Sequence, residues 1–182
     1  DRALLDCFAE SVDGRGVVAD LGCGPGHVGR YLSRQGIPTL GVDLAPEMVA
    51  IARRLTPAMT FLQGDMRALT APNEAWCGIT AFYSLIHFSP RELPEALAEC
   101  YRVLAHEGLL LLALHLGEDE LIHNDELWGI PIQLDLYLYR VETVTDILRA
   151  VGFTLEASVI RAPYPPAVEH QSQRAYLLAR KP

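Results

Sequence analysis

The chain lacks any pair of cysteines at metal or redox spacing. Cys7, Cys23, Cys77 and Cys100 are irregularly placed and form no C-x-x-C. That argues against a zinc ribbon or a dithiol motif, and no metal site is expected. A reduced, cytoplasmic chain is the simplest reading. No run of lysine or arginine occurs, and the formal net charge is −8. Sustained nucleic-acid binding needs concentrated positive charge, so no nucleic acid is expected as a partner. The longest apolar run, Leu109 to Leu114, is too short to span a membrane, and no membrane partner is expected. No signal peptide is visible, and the sequence opens at Asp1 rather than at a Met. Internal repeats and low-complexity segments are absent too.

What is present suits one domain over residues 1–182, with 50% hydrophobic residues to build a core. Short apolar runs alternate with amphipathic stretches. The runs are Val17 to Leu21, Pro38 to Val42, Met59 to Leu62, Gly78 to Tyr83, Leu109 to His115, Phe153 to Arg161 and Arg174 to Arg180. Helices are expected over 3–12, 27–35, 46–55, 89–105 and 140–151. Ser89-Pro90-Arg91-Glu92 combines a cap, a first-turn proline and a capping-box acid. Such alternation predicts an α/β fold, doubly wound, with a mostly parallel sheet covered on both faces. The last two strands are joined by a helix-free loop, so they should pair antiparallel.

Ligands in such sheets bind beyond the carboxyl ends of the strands. The first strand ends in Asp20-Leu21-Gly22-Cys23-Gly24-Pro25-Gly26. Bare backbone there permits close approach of a ligand, and the following helix start offers free N–H groups. Gly24-Pro25-Gly26-His27-Val28-Gly29 formally matches the dinucleotide fingerprint, with Asp43 near the place of a ribose-binding acid. Against a nicotinamide cofactor stand the short chain and the acid Asp20, which would repel a pyrophosphate but suits a cationic ligand.

These residues resemble the first motif of class I S-adenosylmethionine-dependent methyltransferases. Gly41-Val42-Asp43-Leu44-Ala45-Pro46-Glu47-Met48 resembles their second segment, Gln63-Gly64-Asp65-Met66 the third, and Tyr83-Ser84-Leu85-Ile86-His87-Phe88 the fourth. The resemblance runs from about residue 15 to the C-terminus. It implies a three-layer sandwich around a seven-stranded sheet of order 3-2-1-4-5-7-6. One departure is Trp76-Cys77-Gly78-Ile79, where the family usually carries a Phe-Asp-x-Val pattern.

The resemblance implies S-adenosyl-L-methionine as cofactor and S-adenosyl-L-homocysteine as product. Asp43 would accept from the ribose hydroxyls. Leu44, Met48 and Met66 would pack on the adenine ring, and Asp65 would accept from its amine. Gly22, Cys23, Gly24 and Gly26 would wrap the methionine moiety, with Asp20 orienting its ammonium group. Tyr83 and Ser84 would lie near the methyl-bearing end.

Strand order should bring His87, His115, Glu169 and His170 together near the methyl group, as candidate catalytic residues. His115 is a candidate base. Residues 130–139, IPIQLDLYLY, alternate with period two and predict a strand. They fall in a stretch, 116–139, where the family inserts substrate-covering elements. Trp128, Tyr137 and Tyr139 could line a pocket for a small-molecule substrate, or the strand could pair a second subunit in a homodimer. Methyl transfer by direct displacement to a small acceptor is the expected function. The alternatives are a catalytically silent cofactor-binding domain of this fold and, behind it, a nicotinamide-binding oxidoreductase.

Overall fold

A computed structural model of the chain describes residues 1–127 and 130–182. The N-terminal half contains α1 (Arg2–Val12), β1 (Val18–Leu21), α2 (His27–Arg34), β2 (Thr39–Asp43), α3 (Pro46–Leu55), β3 (Thr60–Gln63) and β4 (Trp76–Phe82). Then come a short 3₁₀ turn (Leu85–His87), α4 (Leu93–Val103), β5 (Leu104–Leu116), β6 (Glu120–Leu127) and β7 (Ile130–Leu138). The chain closes with α5 (Val141–Val151), β8 (Thr154–Arg161) and β9 (Gln173–Arg180).

Seven strands form one sheet in the order β3-β2-β1-β4-β5-β9-β8. The neighbours from β3 to β5 run parallel, and β9 lies antiparallel to both β5 and β8. With the β6–β7 hairpin set aside, this is the order the resemblance implied. Alternate residues of one strand feed opposite faces. On β5, Leu109 and Leu111 pack with Leu5, Phe8 and Val12 of α1 and with Leu32 of α2. Leu110, Leu112 and Leu114 pack on the other face with Leu93 and Leu97 of α4 and Val144 and Leu148 of α5. Gly152, at φ 118°, closes α5 by donating to the carbonyls of Leu148 and Arg149.

Two expectations are corrected. α4 begins at Leu93 rather than Ser89. The Glu92 carboxylate accepts from the Ser89 amide (3.0 Å), the reciprocal bond of a capping box, and from the Ser89 hydroxyl (2.7 Å), while residues 90–92 form a turn ahead of the helix. β4 starts two residues early, at Trp76, with a register shift before Gly78. The expected period-two strand is present as β7, and Glu120–Leu127 folds back onto it as an antiparallel hairpin. Polar and acidic residues on β6 hid that partner from a hydrophobic pattern. Among the described residues, no helix is long and apolar enough to cross a membrane, and no cluster of three or more His, Cys, Asp or Glu could hold a metal.

Candidate functional site

The glycines after β1 do two different jobs. Gly22 is at φ 65°, and a Cβ there would fall 2.2 Å from Cβ of Ser84. That glycine is bare because the protein itself packs against it. Gly26 is bare for the same reason, with the Phe61 ring where its Cβ would be. Gly24 is different. A Cβ on it would meet nothing within 4 Å, so its backbone borders open space. Its N–H donates to Asp43 Oδ2 at 2.7 Å, and Asp43 Oδ1 accepts from the Ala45 amide at 2.9 Å. One carboxylate at the end of β2 thus ties the first glycine turn to the start of α3, and each oxygen keeps a lone pair for a further donor.

Asp20 is buried beneath this turn. Its oxygens accept from the Gly29 amide (2.9 Å) and the Thr80 hydroxyl (3.0 Å). Burial outweighs those bonds and pushes its carboxyl up to about 6. Cys23 is buried, and desolvation raises its thiol, which therefore stays protonated. A cavity of about 570 Å³ opens over the turn, bounded by Asp20, Gly22, Gly24, His27, Phe82 and Tyr83 among others.

Along the β2–β3 side, Leu44 is 62% exposed and Met48 39% exposed, unusual for such residues beside a packed sheet. Met66 is buried, with its methyl 3.4 Å from where a Cβ of Gly22 would lie. Asp65 is held by Arg67 at 2.7 Å, and that guanidinium keeps its carboxyl below the usual range. Any base amine must share it with Arg67. Ser84 points inward and donates to the Leu21 carbonyl at 2.9 Å. It also packs behind Gly22.

The second group gathers at the ends of β4, β5 and β9. The Tyr83 and His115 rings lie 4.9 Å apart and those of His115 and His170 5.5 Å apart. His115 Nδ1 is 2.8 Å from Ser172 Oγ, which in turn accepts from Arg174 at 2.6 Å. Burial, with Arg174, His170 and His87 nearby, lowers His115 to about 4. His87 is more peripheral, with Nδ1 3.2 Å from the Asp135 carbonyl of β7. Glu169 is not a free base. It pairs with Arg161 at 2.6 Å and accepts from the Tyr164 amide, which holds its carboxyl down at about 2. Arg174, Ser172 and Tyr176, whose hydroxyl is 2.9 Å from that of Tyr83, were missed. They belong to no motif; Arg174 and Tyr176 lie on the expected last strand and Ser172 just before it.

Tyr139 does not line a pocket. It is fully buried, its hydroxyl donates to the Phe88 carbonyl, and it serves the core. Tyr137 is half-buried and stacks on it at 6.0 Å between centroids. Trp128 lies outside the described residues.

Residues 18–108, half of the chain, match the family model described as a methyltransferase domain. The chain belongs to that family. It is 36% identical over 94 residues to a malonyl-(acyl-carrier protein) O-methyltransferase of Serratia marcescens, covering 52% of this chain and 36% of that protein. It is 37% identical over 117 residues to a demethylmenaquinone methyltransferase of Thermus thermophilus, covering 61% and 51% respectively. The chain thus spans about a third to a half of the length of these curated relatives. The crystal structure of a SAM-dependent methyltransferase from Methanosarcina mazei superposes with a TM-score of 0.82 at 14% identity, over 91% of this chain and 92% of that one. The fold is the one that resemblance implied.

Proposed function

We propose that this chain binds S-adenosylmethionine at the glycine turn and promotes transfer of its methyl group to a small-molecule acceptor by direct displacement. The observation that carries this reading is the junction at Gly24. Open backbone at Gly24 is bonded to a carboxylate with spare lone pairs, Asp43, and the two exposed apolar side chains Leu44 and Met48 follow that acid in the chain. The donor set fits the cofactor: acid for ribose hydroxyls and aliphatic and thioether surface for a base. When bound, the cofactor supplies a methyl group on a sulfonium, which is a good leaving group.

The protein's part is then mainly positioning, which is worth roughly 7–11 kcal/mol of barrier when reactants are well aligned. Asp43 holds the sugar and Leu44 and Met48 cover the base. Asp20 fixes the turn through Gly29 and Thr80.

His115 is the side chain that serves the acceptor in this reading. Ser172 Oγ accepts from Arg174 and keeps a hydrogen and a second lone pair, so it can either donate to His115 Nδ1 or accept from it. Burial lowers the ring to about 4, so it is neutral near pH 7 and carries one proton. Nε2 then donates to an acceptor's oxygen when it holds that proton, and accepts from it when Nδ1 does.

Calorimetry with S-adenosylhomocysteine, then a screen for transfer of labelled methyl, tests the proposal. Binding followed by transfer is the expected result. Binding without transfer under any acceptor would favour the silent domain. Binding of NADH in place of S-adenosylhomocysteine would overturn the reading.

A further inference from the structure

The cavity beside the glycine turn has a basic wall in an acidic chain. Arg2 of α1 and Arg30 and Arg34 of α2 line it with His27. Among the described residues none of the three arginines pairs with a carboxylate, whereas Arg67, Arg102, Arg161 and Arg180 each do. The acids nearby are already engaged. Asp1 accepts from Tyr176 and from Arg161, Asp6 from Tyr31 (2.7 Å) and Gln35 (3.0 Å), and Asp20 from Gly29 and Thr80. Arg30 donates to His27 Nδ1 at 2.8 Å, which therefore carries no proton.

Arg30 and Arg34 stand one helical turn apart on α2, and Arg2 lines the same cavity from α1. The wall is complementary to an anion, and the planar guanidinium fork matches carboxylate and phosphate geometry. The cofactor's amino-acid end brings a single carboxylate, which the Arg2 fork alone would satisfy, so Arg30 and Arg34 remain for a second anion in the same cavity.

Resting on the methyl-transfer reading above, we propose that Arg2, Arg30 and Arg34 form an anion-binding wall, and that the methyl acceptor is a small molecule carrying a carboxylate or phosphate group. The test is calorimetry on the chain saturated with S-adenosylhomocysteine, titrated with malonate, pyrophosphate and the neutral malonamide. The wild type should bind at least one of the two anions and not malonamide, and the tighter anion identifies the group. The Arg30→Gln/Arg34→Gln double variant should bind that anion about 10–100-fold more weakly, with S-adenosylhomocysteine affinity within about twofold. The proposal is overturned if neither anion binds, or if the variant binds both as the wild type does, which would mean an adventitious ion only. It is also overturned if the variant loses S-adenosylhomocysteine, since the arginines would then serve the cofactor. A wild type that binds the anions but not S-adenosylhomocysteine would sink the methyl-transfer reading and leave the wall standing.

Discussion

The two ends of the binding face are built by different means. After β1 and β2 the work is done by backbone: a glycine open to the cavity, a glycine pressed on Ser84, and one carboxylate stapling two turns. After β5 and β9 it is done by side chains: Arg174, Ser172, His115 and Tyr83 in a connected row. Backbone devices tolerate almost no substitution and little change of ligand. A row of side chains can be retuned one residue at a time. Backbone devices suit an invariant cofactor, and side-chain groups, this row and the arginines of α1 and α2 alike, suit a variable acceptor.

The comparison is broken most severely by Gly22→Ala. The added methyl falls on Ser84 at a positive φ and should cost about 2–4 kcal/mol, read as a lowered Tm. Adding Ser84→Gly should restore roughly half of that, because the contact is relieved while the φ strain stays. No recovery would mean that strain alone governs the turn.

Next, Asp43→Ala should weaken S-adenosylhomocysteine binding about 100-fold by calorimetry, whereas His115→Gln should change it less than about twofold. Equal effects would erase the division between the two ends.

A subtler contrast lies in acid. Folded Asp20, raised to about 6, keeps a proton that the unfolded chain gives up near 3.8, so it adds stability as pH falls through about 6. Folded His115, lowered to about 4, refuses a proton that the unfolded chain takes up near 6.5, so it removes stability over the same range. The two oppose each other. Urea melts from about pH 4 to 7 should show Asp20→Asn losing stability more steeply than wild type on acidification, and His115→Gln less steeply. Slopes of the same sign would mean that one of the two groups is not buried as described.

The smallest effect belongs to Tyr139→Phe. It strips a donor from the Phe88 carbonyl and should cost about 1 kcal/mol of stability without altering cofactor affinity. A loss of cofactor binding would return Tyr139 to the site.

The same division explains what was legible in the sequence. Contiguous motifs marked the backbone end, since Asp20 to Gly26 and Gly41 to Met48 each act within one turn. Alternation pointed to a mostly parallel sheet and the family resemblance to its strand order, which predicted the gathering of His115 and His170. The side-chain end could not be read residue by residue. His115 and Ser172 are 57 positions apart, and no spacing announces their bond. Tyr139 continued the period-two pattern of a covering strand, yet its ring turns into the core beside Tyr137, because burial, unlike periodicity, depends on what packs against the strand. The acid pairing of Glu169 with Arg161 was equally invisible.

Asp43 grips two loops whose anchoring amides, on Gly24 and Ala45, lie 2.7 and 2.9 Å from its oxygens. Whatever pulls on that carboxylate is therefore felt at both loops at once. A sugar hydroxyl arriving there would stiffen the rim of the crevice from two sides, so that occupancy by the first reactant prepares the ground on which the second one lands.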